Sequence, residues 1–171
     1  MSADTFTTAL FLITAVIAAG VLIGAIFPVV YQMAGTFSSA GHASDQQIRT
    51  DFKVVLAVVN RSGVAQVWMK NTGSVQIPDS DIKKSDVICG DATNFNLLSL
   101  SPSGSLSPGQ WTYTLSDLNS NKYWDPGETL EIDALPSTSS PLNMQGGPNY
   151  FQFTLPNGIW RSDQFTASVT P

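Results

Sequence analysis

The sequence is poor in the side chains from which most catalytic and metal centres are built: it has one cysteine, Cys89, and one histidine, His42. A single thiol excludes an intramolecular disulfide and any cysteine-rich zinc site, so Cys89 is expected to be a small buried hydrophobe. His42 stands among small polar residues and is expected in solvent. There is no Gly-x-Ser-x-Gly elbow and no phosphate loop, and one His with one Cys cannot supply the usual nucleophile and base pairs. An enzyme is therefore not expected. Charge is scarce as well, at 12% of residues, and 13 Asp and Glu outweigh 8 Lys and Arg for a net charge of -5. With a pI of about 4.5, the chain lacks the basic footprint that a phosphate backbone requires, so nucleic acid is excluded as the expected partner.

The longest absence is the most informative. From Thr5 to Ser44 there is no Asp, Glu, Lys or Arg, and Ala9 to Val30 is apolar apart from Thr14, the glycines and Pro28. About 20 such residues span a bilayer as a helix, whereas a helix buried in a soluble domain would be shorter and would show a polar face. No Lys or Arg precedes the run, so it lacks the basic n-region of a cleaved secretory signal and is expected to stay on the mature protein. Small residues recur in it at Ala15, Ala19, Gly20 and Gly24. The two glycines form a G-x-x-x-G, the spacing that lets helix backbones approach closely in apolar surroundings. Pro28 removes a backbone donor, should leave the Gly24 carbonyl unpaired, and predicts a bend. Residues 29–47 are smaller and more polar, and read either as continued helix or as a flexible stalk.

What is present beyond Asp51 has a different texture. The 171 residues leave room for one domain plus this extra element, which divides the chain into 1–48, a hydrophobic helix and stalk, and 49–171, an extracellular β domain. Apolar residues alternate with period two, and the pattern predicts strands at Phe52–Val59, Ala65–Asn71, Val87–Ile88, Phe95–Leu100, Trp111–Leu115, Thr129–Ala134, Tyr150–Leu155 and Phe165–Val169. Asn- and Gly-containing turns separate them. Eight short strands without a helical period point to an all-β immunoglobulin-like sandwich head. Its core is expected to hold Trp111, Leu130, Ile132, Phe151 and Phe153. The loop Pro136–Pro148, rich in Ser, Pro and Gly, is expected to be mobile.

Two site predictions come from the residues themselves. Asn60-Arg61-Ser62 is an N-glycosylation sequon in a predicted turn. Between Asp117 and Glu128, oxygen-bearing side chains fall at loop positions 1, 3, 5, 9 and 12, the spacing with which an EF-hand-type loop wraps calcium. The predicted ligands are Asp117, Asn119, Asn121, the Tyr123 carbonyl, Asp125 and a bidentate Glu128, around a structural Ca2+. Lys122 stands at position 6, where such loops carry Gly. It must either accept a positive φ or force a different turn.

The run from Ala9 to Val21 (ALFLITAVIAAGV), followed by Val67-Trp-Met-Lys-Asn-Thr-Gly-Ser74 and Asp125-Pro-Gly-Glu-Thr-Leu-Glu-Ile132, resembles the archaeal flagellin-related FlaG/FlaF family of the archaellum, the rotary swimming filament of archaea. The resemblance covers nearly the whole chain in layout. It implies a type IV pilin-like N-terminal helix that packs coaxially in a filament or sits in the membrane beneath a β-sandwich. It also implies partners of the same kind: other copies of the chain or related archaellum subunits through the helix, and the membrane before assembly. Asp4 resembles the early acid of type IV pilins, which could neutralise a neighbour's terminal amine. Archaellins carry a basic leader ahead of the apolar run, and Met1-Ser2-Ala3-Asp4 has no basic residue; a processed chain or an accessory branch without the leader would each fit. The expected function is a structural subunit of the archaellum filament, placed outside the cell or on its surface. The alternatives are a membrane-anchored stator or adaptor that binds the surface-layer protein, and a type IV pilin-like adhesion subunit. No Trp, Lys or Arg flanks the apolar run as an interfacial anchor, and a helix of about 40 residues would reach about 60 Å, more than a bilayer needs. Both favour the filament.

Overall fold

The computed structural model describes residues 2–167. The chain divides into two compact units, residues 1–44 and 45–171. The first unit is most of a single helix, α1 (Ser2–Arg49). Ala, Leu and Ile favour it, and its threonines fold their own polarity inward. Thr8 Oγ1 donates to the Asp4 carbonyl at 2.8 Å, Thr36 Oγ1 to Gln32 O at 2.9 Å, and Thr7 and Thr14 bond back in the same way. Hydroxyls satisfied within one turn ask nothing of the surroundings. Pro28 lies inside α1 without ending it, and residues 29–47 continue as helix, so the stalk alternative falls.

The last turn of α1 belongs to the second unit because the head holds it. Gln47 Nε2 donates to the Asn157 carbonyl at 2.7 Å, Arg49 Nε to Ser74 Oγ at 3.3 Å, and the Ser74 N–H to the Arg49 carbonyl at 2.9 Å. Thr50 closes the helix through its N–H and its hydroxyl, both donated to the Gln46 carbonyl.

The head contains β1 (Phe52–Val59), β2 (Ala65–Asn71), β3 (Ile77–Pro78), a single helical turn α2 (Asp79–Ile82), β4 (Asp86–Asp91), β5 (Asn94–Leu100), β6 (Gln110–Leu115), β7 (Tyr123–Trp124), β8 (Thr129–Leu135), β9 (Pro148–Thr154) and β10 (Trp160–Thr166). Eight strands hydrogen-bond in the order β1-β2-β8-β6-β5-β4-β9-β10. All pairs are antiparallel except β5 with β6, which meet only at Ser99–Gln110 and Leu100–Trp111. That short seam lets the sheet fold over, so that β9 faces β1 and β6. Phe153 stacks edge-on against Phe52 at 5.5 Å and against Trp111 at 6.4 Å between ring centroids. The expected sandwich is present.

Seven of the eight predicted strands lie where the alternation placed them, and β8 and β9 bury every second residue. The five predicted core residues are all buried, as is Cys89, whose thiol is pushed up to about 12 by burial. The last strand is a correction. The Leu155–Ile159 hairpin, with Gly158 at φ 83°, starts β10 at Trp160, paired with Thr154. Turn geometry sets the register there, because Trp160-Arg-Ser-Asp-Gln has no alternation to read. Val169 lies outside the described residues. The Pro136–Pro148 loop is also unlike its expectation. Ser140 is buried, and Asn149 reaches back to bond the Asn143 N–H at 2.6 Å and the Asn143 carbonyl at 3.1 Å.

Phe153 joins both layers of the core, so Phe153→Ala is expected to lower the stability of the head by about 3–5 kcal/mol. A thermal or denaturant melt of the full chain reads this directly, and an unchanged midpoint would contradict the packing.

Candidate functional site

On α1, every described side chain from Ala3 to Arg49 is exposed. By length and composition this is the one helix among the described residues able to cross a membrane. Nothing lies within 4 Å of a Cβ built on Gly20 or Gly24. Within the chain, then, no packing explains these glycines, nor Ala15 and Ala19 beside them; any reason for their size lies outside it.

The second candidate is the loop between β6 and β8. Asp117 accepts the N–H groups of Asn121 at 3.2 Å and Lys122 at 2.8 Å. The Lys122 N–H above all, with those of Asn121, Ser120 and Asn119, holds the Asp117 carboxyl below its ordinary value. Both carboxamides converge on Asp125: Asn119 Nδ2 donates to its Oδ2 at 2.7 Å and Asn121 Nδ2 to the same oxygen at 2.9 Å. The other oxygen, Asp125 Oδ1, is buried with no hydrogen-bond partner. Glu128 is buried and turned to the backbone, its oxygens accepting the N–H groups of Leu118 at 2.9 Å and Asp125 at 3.0 Å. Among the described residues, no three His, Cys, Asp or Glu side chains gather as a metal-ligand group. In this loop half of the six predicted ligand residues offer a carboxamide or backbone carbonyl oxygen. Lys122 takes the positive φ that position 6 demands, at 63°, and Ser120 does so at 59°. These are the two non-glycine residues with positive φ among the described residues, and both sit in this loop.

Sequence reasoning missed the residue that fastens the loop to the rest of the head. Asn71 is 1% exposed, and all of its polar groups are used. Its Nδ2 donates to the Trp124 carbonyl at 2.8 Å and the Val75 carbonyl at 3.0 Å, and its Oδ1 accepts the Gly73 N–H. Its backbone bonds Gly127 and Glu128. Two residues on, a Cβ on Gly73 would lie 2.5 Å from the Arg49 carbonyl and the Asp51 nitrogen, so only glycine lets the chain pass there. The Asn-Thr-Gly triplet signalled a turn; that its Asn faced inward was legible only from the phase of β2. Across the loop, Tyr123 and Trp124 pair with Pro78 and Ile77, and Asp79 takes the Tyr113 hydroxyl and Lys83 as partners.

The predicted sequon residue Asn60 lies in the β1–β2 turn, half-buried, with Oδ1 accepting the N–H groups of Ser62 at 2.9 Å and Val64 at 3.1 Å.

The archaeal-type flagellin family matches residues 2–165, helix and head together. The chain belongs to that family. It is 25% identical over 170 residues to an uncharacterized protein of Archaeoglobus fulgidus, covering 97% of this chain and 99% of the other. Among solved structures, it is similar to the archaellum periplasmic stator protein FlaG from Sulfolobus acidocaldarius, with TM-score 0.53 and 25% identity over 68% of this chain and 99% of that one. The flagellin FlaB1 from Methanocaldococcus jannaschii shares the fold, with TM-score 0.54 at 12% identity, over 71% of this chain and 92% of that one. The family and these neighbours are structural components of the archaellum.

Replacing Asn71 by Ala strands the buried carbonyl of Trp124 and the half-buried carbonyl of Val75. A loss of about 1–3 kcal/mol is expected, read as a lower melting midpoint. Asn71→Ala at the wild-type midpoint would remove Asn71 from its central place.

Proposed function

We propose that this chain is a structural subunit of the archaellum filament that assembles through the surface of α1, with the β-sandwich exposed outside. The observation that carries this reading is a 48-residue helix, free of charge from Thr5 to Ser44 and exposed along its length. At 1.5 Å per residue it is about 72 Å long, more than twice the roughly 30 Å hydrocarbon core of a bilayer. A membrane would cover less than half of it, while helices of neighbouring copies would cover all of it. Ala15, Ala19, Gly20 and Gly24 would then be where the helices come closest. Asn60 would carry a glycan on the outer surface. The likeness to the stator FlaG over 99% of that chain favours a second reading, a membrane-anchored stator or adaptor whose head binds a surface-layer protein.

Val16→Asp or Gly20→Lys places a charge in a dry helical bundle at a cost of several kcal/mol. Filaments sheared from cells and examined by electron microscopy and mass spectrometry should lose this subunit in either variant. Wild-type yield would sink the filament reading, and a wild-type chain found only in the membrane fraction would favour the stator.

Within either reading we propose that the Asp117–Glu128 loop takes up a structural calcium ion. Support comes from the unpartnered Asp125 Oδ1, the Lys122 φ and the two carboxamides already turned towards Asp125. An Asn amide that donates to a carboxylate presents its oxygen to a cation after one half-turn. Asp117, Asn119, Asn121, the Tyr123 carbonyl, Asp125 and Glu128 would hold the ion, which would offset the mutual repulsion of three carboxylates. Chelation is expected to lower the melting temperature, and the double variant Asp117→Ala, Glu128→Ala to reproduce that shift without chelator. Identical melting in calcium and in chelator, with no heat of calcium binding, would leave the loop an ordinary turn.

A further inference from the structure

Leucine at the tip of a polar loop is out of place, and Leu118 is 89% exposed. Its backbone is not loose: the Leu118 N–H is held by Glu128 Oε1 at 2.9 Å, and the flanking Asp117 and Asn119 side chains are engaged within the loop. The fold therefore presents one apolar knob on a fixed base. At the other end of the sandwich lies a shallow apolar depression of about 220 Å3, lined by Gly63, Pro108, Leu135, Pro141, Leu142 and Met144 among others. That volume is below the roughly 300–1,000 Å3 of small-molecule sites and suits a single side chain.

The two features are opposed along the strands. β8 leaves the Asp117–Glu128 loop at Thr129 and reaches the depression at Leu135; β2 runs the other way, from Ala65 beside Gly63 to Asn71. Seven residues of strand separate them by about 23 Å. Their charges differ too. The knob's loop carries Asp117, Asp125 and Glu128 against Lys122, whereas no charged residue lines the depression and the one in the adjoining turn is Arg61.

We propose that heads of neighbouring copies meet end to end, Leu118 of one seated in the Leu135–Met144 depression of the next. The inference rests on the filament reading and deepens it by naming a second contact besides α1. Because knob and depression are different patches, the contact is heterologous and does not close on itself, so it propagates as an open row. A two-fold pairing would instead bring two acidic loops together.

Cross-linking in the full chain tests this. Cys89 is fully buried, so thiols introduced as Leu118→Cys and Met144→Cys would react without competition. Filaments sheared from cells carrying both substitutions and then oxidised should give a ladder of dimers, trimers and longer species on a non-reducing gel, and each single substitution should give monomer. Leu118→Asp, at a surface position, should keep the wild-type melting midpoint and yet raise the concentration needed for assembly about tenfold or more, the loss of one buried leucine. Dimers from Leu118→Cys alone would mean that knob meets knob and would overturn the proposal. So would filaments without a ladder, or Leu118→Asp filaments of normal abundance, and both would leave assembly through α1 intact. Absence of wild-type filaments would remove that reading and this contact together.

Discussion

Everything in this chain is organised around apolar surface that it does not bury itself. A Leu, Ile, Val or Phe gains about 1.5–3 kcal/mol on full burial, and α1 exposes such residues from Phe6 to Phe37. The sum runs to tens of kcal/mol, against the roughly 5–15 kcal/mol by which a domain is stable. No adjustment in the head could balance that. The helix must take lipid or other helices as its solvent, and its composition is consistent with this: charge is absent, and the threonines bond to their own backbone. A membrane subunit and a filament subunit are thus two stages of one requirement.

The last turn of α1 is built into the head. That turn is bound by Asn157 and Ser74, Gly73 lets two backbone segments pass at close range, and Asp51 is bridged to Arg161 at 2.5 Å from the far edge strand. Asn71 links this region to the Asp117–Glu128 loop, so the point where α1 enters the head and the candidate ion loop share one buried polar residue. A polar group at that depth costs stability unless every bond is made. Here every bond is made, and the arrangement is correspondingly specific.

The helix and most strands were legible from the sequence because each follows a single local rule: an unbroken charge-free run, or alternation of apolar residues. Phe151 and Phe153 fall in the core by that alternation alone. What was not legible depends on partners distant in sequence. Ile77–Pro78 and Tyr123–Trp124 are strands only because they pair with each other. β10 owes its register to a hairpin and not to its own pattern. The Pro136–Pro148 loop reads as loose by composition, yet Asn149 and Ser140 bury within it. In the Asp117–Glu128 loop, Asn119 and Asn121 bond Asp125, and of the two alternatives open to Lys122 it takes the positive φ. The inward turn of the Glu128 carboxylate could not be foreseen from spacing.

The strand order also sets a timetable. β2 pairs with β8 some sixty residues later, and β4 lies between β5 and β9, which begins only at Pro148. The layer of β1, β2, β8 and β6 cannot be completed before Leu135, nor the layer of β5, β4, β9 and β10 before Thr166, and sheets with such distant pairings close slowly, in milliseconds to seconds. α1, by contrast, is finished before the first strand exists and needs no later residue to form. During synthesis the apolar helix is therefore exposed while the head is still unfolded, so a newly made chain needs an apolar host for α1 before it has a head to present.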